Sequence, residues 1–149
     1  MDYALRACVH LARAEDLTST SEVMAQAEGI SQSFLQNILG EMRQAGYVGS
    51  TRARRGGYRL ALPPGQITVA DVVRAMDGPL VRVHGVDPDD LSYPRSTEDL
   101  ATLWVAVRAS VHALLEGVTL QDLATGRLPV QMSKPATTAR AEPGGALTR

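Results

Sequence analysis

Five arginines and no acidic residue stand between positions 42 and 62. Since like charges repel one another, such a cluster is stabilised when it binds an anion. Two adjacent glycines, Gly56 and Gly57, follow the densest part of the cluster and let a backbone approach phosphate groups closely. A solvated charge cluster is the alternative, but the lack of a neighbouring carboxylate favours an anionic partner. The arginines are Arg43, Arg52, Arg54, Arg55 and Arg59.

Side chains that could read nucleic-acid bases precede these arginines in the chain. Gln36 and Asn37 lie on the outer side of a predicted helix, and such amides can bond to an adenine edge through two hydrogen bonds. On this helix alone, a solvated polar face is the better interpretation, and only the basic segment that follows makes duplex DNA the favoured partner. The residues predicted to bind DNA are Ser31, Ser33, Gln36, Asn37, Arg43, Arg52, Arg54, Arg55, Gly56, Gly57 and Tyr58.

The amide-bearing helix is predicted to begin after Ser31, whose side chain caps it, and to end at Gly46. Its inward-facing positions are Phe34, Leu35, Ile38, Leu39 and Met42. Two β-prone segments, 47–51 and 58–62, flank the glycine pair and predict a hairpin. A helix followed by a basic hairpin indicates a winged helix-turn-helix, in which the helix enters the major groove and the hairpin contacts the adjacent backbone or minor groove.

Two short helices are predicted before this one. The first spans about 2–14 and is followed by a polar break, and the second is capped by Thr20 or Ser21 and stops near Gly29. Their predicted inward positions are Leu5, Cys8, Val9, Ala12, Val23, Met24 and Ala27.

After the hairpin, Thr68 and Asp71 form an acidic variant of the capping box, which predicts a helix from 69 to the glycine at 78. Its apolar positions are Val69, Val72, Val73 and Met76. The following segment, 83–97, has no clear periodicity and is rich in proline, aspartate and serine, so we predict a loop there.

The last predicted helix carries a wide apolar stripe whose members recur every three or four residues. A stripe of this length beside a small winged domain requires a partner surface, and the favoured partner is the same helix of a second subunit. The predicted interface residues are Leu100, Leu103, Trp104, Val107, Val111 and Leu114, and the stripe continues to Leu115 and Val118.

The predicted fold class is mainly α with a small β-hairpin wing. We expect a winged helix-turn-helix domain over 1–80, a sensor or linker loop over 81–99, a dimerisation helix over 100–125 and a disordered tail over 126–149. The chain opens directly on a helical pattern, which suggests that its natural start lies a few residues upstream.

Several classes of protein find no support in the sequence. The single cysteine, Cys8, excludes an internal disulfide, and the three histidines have no second ligand at helical spacing, so we expect no metal or other cofactor. No phosphate-binding loop or nucleophile elbow is present, so we do not expect an enzyme. Without a leader or a membrane-spanning run, we expect a cytoplasmic protein with no membrane partner.

The chain resembles the Rrf2 family of bacterial regulators over residues 2–123. The motifs that carry the resemblance are DYALRA (2–7), GIS (29–31), AGYV (45–48) with Ser50 and Arg52, GGYRLA (56–61), ITVADVVRA (67–75), DGPL (77–80), LW (103–104) and VTLQDL (118–123). The resemblance implies a homodimeric winged-helix transcription factor, usually a repressor, that binds a palindromic operator. It implies base reading by Ser33, Gln36 and Asn37 and a minor-groove contact by Arg52.

The chain also departs from the family pattern. Relatives often carry Glu-Gln where this chain has Gln36 and Asn37, and more glycine at Ala53 and Arg55, so the operator sequence does not carry over. Many relatives hold an iron-sulfur cluster through three cysteines in the loop before the dimer helix. Here that loop has no cysteine, which implies a cluster-free member controlled by an effector protein, a small molecule or Cys8 oxidation. Asp2, a cluster ligand in some relatives, is then expected to be structural.

Two alternatives to a DNA-binding dimer remain open at this point. The winged domain could be a protein-interaction module whose arginines dock on an acidic surface. The protein could also be a redox sensor acting through Cys8, although a lone cysteine on an inward helix face is more often a small core residue.

Overall fold

A computed structural model describes residues 1–51, 56–78 and 81–133 of the chain. Arg52, Arg54 and Arg55, for which DNA contacts are predicted, lie outside the described residues. The helices are α1 (Asp2–Arg13), α2 (Ser21–Glu28), α3 (Gln32–Gln44), α4 (Val69–Asp77), α5 (Asp99–Glu116), α6 (Leu120–Thr125) and α7 (Val130–Ser133). The strands are β1 (Thr18–Ser19), β2 (Val48–Thr51) and β3 (Gly57–Leu60).

This architecture confirms the predicted fold class, a mainly helical chain with a small β wing and a long helix towards its C-terminus. Local chemistry sets the helix boundaries as predicted. Ser31 Oγ accepts a hydrogen bond from Phe34 N at 3.3 Å at the start of α3, and Thr20 Oγ1 accepts one from Val23 N at 3.2 Å at the start of α2. Within the described residues, no helix is long and apolar enough to cross a membrane.

The main core lies where α1, α3 and α4 meet the sheet. The buried face of α1 differs from the predicted one: Ala4, Ala7, Cys8 and Leu11 are buried, whereas Leu5, Val9 and Ala12 are only partly buried. Alanine side chains are small enough to let neighbouring elements approach closely, so Ala4 and Ala7 share the buried face with Cys8 and Leu11, a face that large side chains alone do not indicate.

Three apolar residues that were predicted to face inward are exposed to solvent. Phe34 is 46% exposed and makes an edge-to-face contact with Tyr3, with ring centroids 5.4 Å apart. Val23 is 53% exposed, and Ala27 is also exposed. In α2, Ser21, Met24 and Ala25 take the buried positions, because the short helix turns its other face towards α3.

The sheet has three antiparallel strands in the order β1-β3-β2, not the two predicted. Val48 pairs with Leu60 and Thr51 with Gly57, so β2 and β3 form the hairpin that we call the wing. Strand β1 was not predicted, because it lies in the segment that the sequence indicates as a polar break. Its Thr18 pairs with Arg59 of β3. Two residues carry no periodic signal, and their strand conformation depends on the distant β3.

The C-terminal part also differs in detail from the prediction. Val118 does not continue the stripe of α5, because the helix ends at Glu116 and Val118 is buried against Val69 and Val73. The expected tail includes a short helix, α7, whose Met132 packs on that same cluster. The predicted loop before α5 contains two 3₁₀ turns, Pro88–Asp90 and Arg95–Thr97.

Candidate nucleic-acid interface

The turn between α2 and α3 sets the angle at which α3 leaves the domain. Gly29 ends α2 with φ of 65°, a left-handed conformation that favours glycine. Ile30 N then donates to Ala25 O at 3.1 Å, and Ser31 opens the next helix. The buried residues Leu35, Ile38, Leu39 and Met42 fix α3 on the core, so its opposite side faces solvent.

The exposed side of α3 carries the predicted base-reading residues. Ser33 and Asn37 are exposed and make no side-chain hydrogen bond with other described residues. Gln36 is also exposed, but its Nε2 donates to Ser21 Oγ at 3.3 Å. Gln32, one turn earlier, donates to the same oxygen at 3.2 Å. The sequence prediction missed Gln32, although its position four residues before Gln36 places both on one face.

A groove of about 600 Å³ lies between α3, the start of α2 and the wing. We call it the α3 groove. Residues 20–23 form one wall, and Gln32, Gln36 and Arg43 come from α3. Ser50, Thr51 and residues 56–58 form the wing side. Of the predicted DNA-binding residues, the structure therefore brings Gln36, Arg43, Gly56, Gly57 and Tyr58 to one groove.

Not all predicted contacts line the α3 groove. Ser31 acts as a helix cap, and Ser33 and Asn37 lie on the exposed surface of α3 outside the groove lining. Thr20, Ser50 and Thr51 line the groove but were not predicted, because short polar side chains in a loop or strand give no sequence signal of their own.

The wing is tightly packed at Gly57, which pairs with Thr51 at the end of the ladder opposite the Val48–Leu60 pair. A Cβ atom at this position would lie 2.9 Å from Thr51 Oγ1 and 3.3 Å from the carbonyl oxygen of Ser19. The hydroxyl of Thr51 is buried and has no hydrogen-bond partner in the described structure. Glycine is thus required here by the close approach of three strands, while neighbouring Gly56 has φ of 60° and is in the left-handed region.

The α3 groove carries charges of both signs. Arg43 is exposed and forms no ion pair with any described residue, so its guanidinium is available to an external anion. Glu22, in the first turn of α2, lines the same groove and would repel a phosphate. Among the described residues, the groove therefore favours an anionic partner on the side of α3, where Arg43 lies.

Helix α5 presents two different faces. On one face, Arg108 bonds to both Asp87 and Asp89 and ties α5 to the preceding loop, with Arg108 Nη2 2.6 Å from Asp89 Oδ2. On another face, Leu103 and Leu114 are 51% and 47% exposed. Trp104 lies one turn before Arg108 and is partly exposed. No residue of α5 is buried. The apolar stripe predicted as an interface is thus accessible to a partner.

Cys8, on the inward face of α1, is fully buried in the core. Burial raises the pKa of its thiol to about 12, so the thiol stays protonated near neutral pH. Within the described ranges, no group of three or more His, Cys, Asp or Glu side chains is placed to hold a metal ion. The single cysteine of the chain therefore lines neither the α3 groove nor the exposed apolar stripe of α5.

Comparisons with known proteins agree with this geometry. Residues 1–126 match the model of a family described as Rrf2, iron-dependent transcriptional regulator. A protein of Mycobacterium tuberculosis named as an HTH-type transcriptional regulator is 42% identical over 95% of this chain and 88% of its own length. The structure of Bacillus subtilis CymR, the global cysteine regulator, superposes with a TM-score of 0.70 at 29% identity, covering 84% of this chain and 92% of CymR. The structure of T. potens IscR gives a TM-score of 0.67 at 26% identity, covering 88% and 87%.

Proposed function

The chain belongs to the Rrf2 family of transcriptional regulators, and on this premise we propose that it is a homodimeric repressor that reads a palindromic operator. Rrf2-type regulators bind DNA and act as dimers. Transcriptional regulators of this family are generally not enzymes. The proposal for this chain therefore concerns which residues bind DNA, how two copies are arranged and what controls them.

The α3 groove is the observation that carries the proposal. A helix with an exposed amide face and a wing with a basic segment border one concave surface, and Arg43 has no intramolecular ion pair among the described residues. We assign base reading to Ser33, Gln36 and Asn37 on α3. Arg43 and Tyr58 contact phosphates, and Arg52, Arg54 and Arg55 reach the adjacent backbone or minor groove.

The exposed stripe of α5 supports the proposed homodimer. A second copy of α5 would cover Leu103 and Leu114 and remove their side chains from water. Burial of apolar surface stabilises a dimer by about 25 cal/mol per Å². A twofold axis between the two α5 helices makes the two α3 grooves equivalent, and the operator is then a palindrome.

The residues present do not fit an iron-sulfur cluster. Clusters of this kind are held mainly by cysteine thiolates, and the one cysteine of the chain is buried in α1, away from the 81–99 loop. In that loop, Asp87 and Asp89 are already bonded to Arg108. We propose that a partner protein or a small molecule controls this member of the family instead.

Selection of bound sequences from a random duplex pool tests the proposal. A dimeric repressor enriches a palindrome, whereas a winged domain that serves as a protein-interaction module enriches no sequence. On the selected duplex, Arg43→Ala is expected to lower the slope of log affinity against log salt by about 1, because one phosphate contact is lost. Arg95→Ala, an exposed arginine of the 3₁₀ turn before α5, is the matched control.

A further inference from the structure

Ser21 holds the side chains of two glutamines on the exposed face of α3. Its hydroxyl oxygen accepts from Gln32 Nε2 at 3.2 Å and from Gln36 Nε2 at 3.3 Å. Among the described residues, Ser21 is the one polar residue in the buried set, with 8% of its surface exposed. We infer that Ser21 is a positioning residue that sets the Gln36 amide for base reading, an inference that rests on the proposed function.

The local structure leaves the Ser21 hydroxyl available for this role. Thr20, not Ser21, is the cap of α2, since Thr20 Oγ1 accepts from Val23 N. Gln32 and Gln36 are four residues apart, which places both on one face of α3 and within reach of the same oxygen. A hydroxyl oxygen has two lone pairs and can accept both bonds.

The chemistry of a glutamine amide allows both roles at once. Two-pronged recognition of adenine uses the amide oxygen and one N–H of Gln36. The amide nitrogen carries two hydrogens, so the second N–H remains for Ser21. Because this bond restricts the Gln36 side chain before DNA arrives, less conformational freedom is lost when the base pair is bound.

The test is a comparison of variants on the duplex that the wild-type protein selects. Gln36→Ala first identifies the base pair that Gln36 reads, as the position where discrimination among bases is lost. Ser21→Ala is then expected to lower discrimination at that position about three- to tenfold, the range for one hydrogen bond. Discrimination at other positions and affinity for random duplex stay at the wild-type level. In a Gln36→Ala background, Ser21→Ala has no further effect at that position.

Two controls separate positioning from a structural role. Ser110→Ala removes a hydroxyl that bonds only to Ala106 O within α5, and it should leave the profile unchanged. The thermal midpoint of Ser21→Ala shows whether α2 remains folded. The inference is overturned if Ser21→Ala keeps full discrimination at the Gln36 position, if it weakens all positions equally, or if Gln36→Ala reveals no such position. Failure of the wild-type protein to select any sequence would instead count against the proposed function itself.

Discussion

Thr68 and Thr119 face each other across an isolated antiparallel bridge, and each is the N-cap of its own helix. Val69 N donates to Val118 O at 2.8 Å, and Leu120 N donates to Ile67 O at 2.9 Å. Both threonines belong to complete capping boxes, with Asp71 in one and Asp122 in the other. The bridge therefore joins the start of α4 to the start of α6, which follows α5 directly.

The two capping carboxylates are held in their charged form. Burial alone would raise the pKa of Asp71, but hydrogen bonds from the Thr68 backbone and hydroxyl, together with Arg74, outweigh it and lower that pKa. Hydrogen bonds from the Thr119 side chain and backbone lower the pKa of Asp122. Since both pKa values are depressed, the stability that these caps contribute is present at neutral pH and is lost as the pH falls below about 4.

The first prediction concerns the Thr119 cap of α6, which lies at this bridge. Thr119→Ala removes the hydroxyl that accepts from Asp122 N at 3.1 Å, and we expect the free energy of unfolding to fall by about 1 kcal/mol. Urea denaturation measures the change. Thr102→Ala, on the exposed side of α5, is the control and should change stability by less than about 0.5 kcal/mol. Equal effects of the two substitutions would show that the cap contributes nothing.

The second prediction concerns the close packing of the wing at Gly57. Gly57→Ala places a methyl group 2.9 Å from Thr51 Oγ1 and 3.3 Å from the Ser19 backbone oxygen, so we expect a loss of about 1–3 kcal/mol of stability. Gly40→Ala is the matched control, because a Cβ atom at that helical position would meet no atom within 4 Å beyond its chain neighbours and the backbone of its own helix. Alanine should therefore add about 0.5–1 kcal/mol of stability there. Thermal unfolding of both variants checks the signs. A stabilised Gly57→Ala would refute the close approach.

Sequence chemistry predicted the parts of the molecule that depend on neighbouring residues. Ser31 and Thr68 cap their helices as expected, because a capping bond spans only three residues. Strand β1 was missed, because its two residues are ordered by pairing with β3, about forty positions away. Phe34 was assigned to the core because it is apolar, but it lies at the edge of the buried face and packs on Tyr3 instead.

The candidate site shows the same division. Gln36 and Arg43, which line the α3 groove, could be proposed from the sequence because side-chain chemistry indicates them directly. The role of Ser21 could not be found in this way, since a serine at the start of a helix is ordinarily interpreted as a cap. Only the packing of α2 on α3 brings its hydroxyl to Gln32 and Gln36.

The third prediction concerns assembly. Leu103→Glu places a charge in the exposed apolar stripe of α5, so the dimer should dissociate because burying that carboxylate is costly. Thr102→Glu, one position earlier on another exposed side of the helix, should leave the dimer intact. Light scattering during size-exclusion chromatography gives the mass of each variant. Circular dichroism should show a folded monomer for Leu103→Glu, since α5 has no buried residue. A dimeric Leu103→Glu would place the interface elsewhere.

The fourth prediction concerns Cys8. Its pKa is raised from the ordinary 9.0 to about 12 by burial, so the folded state keeps the thiol proton to higher pH than the unfolded state. Unfolding is therefore favoured as the pH rises from about 9 to 12. The Cys8→Ala variant should lose less stability than the wild type over this interval, and chemical denaturation at pH 8, 9 and 10 measures the difference. The remaining loss includes Tyr47, whose pKa burial also raises.

The same burial bears on redox control. A protonated, inaccessible thiol reacts slowly with peroxide, so treatment of the native protein should leave DNA binding unchanged in both wild type and Cys8→Ala. A loss of binding in the wild type alone would restore the redox-sensor hypothesis.

The central claim is that two copies of the α3 groove, one from each protomer, bind the same duplex. Mass photometry of the protein on its selected operator tests this most directly, with a matched duplex in which one half-site is scrambled. We expect two protomers on the intact palindrome and at least a tenfold loss of affinity when one half is scrambled, since the contacts of one groove are lost. A single protomer on the palindrome, or equal affinity for both duplexes, would contradict the account.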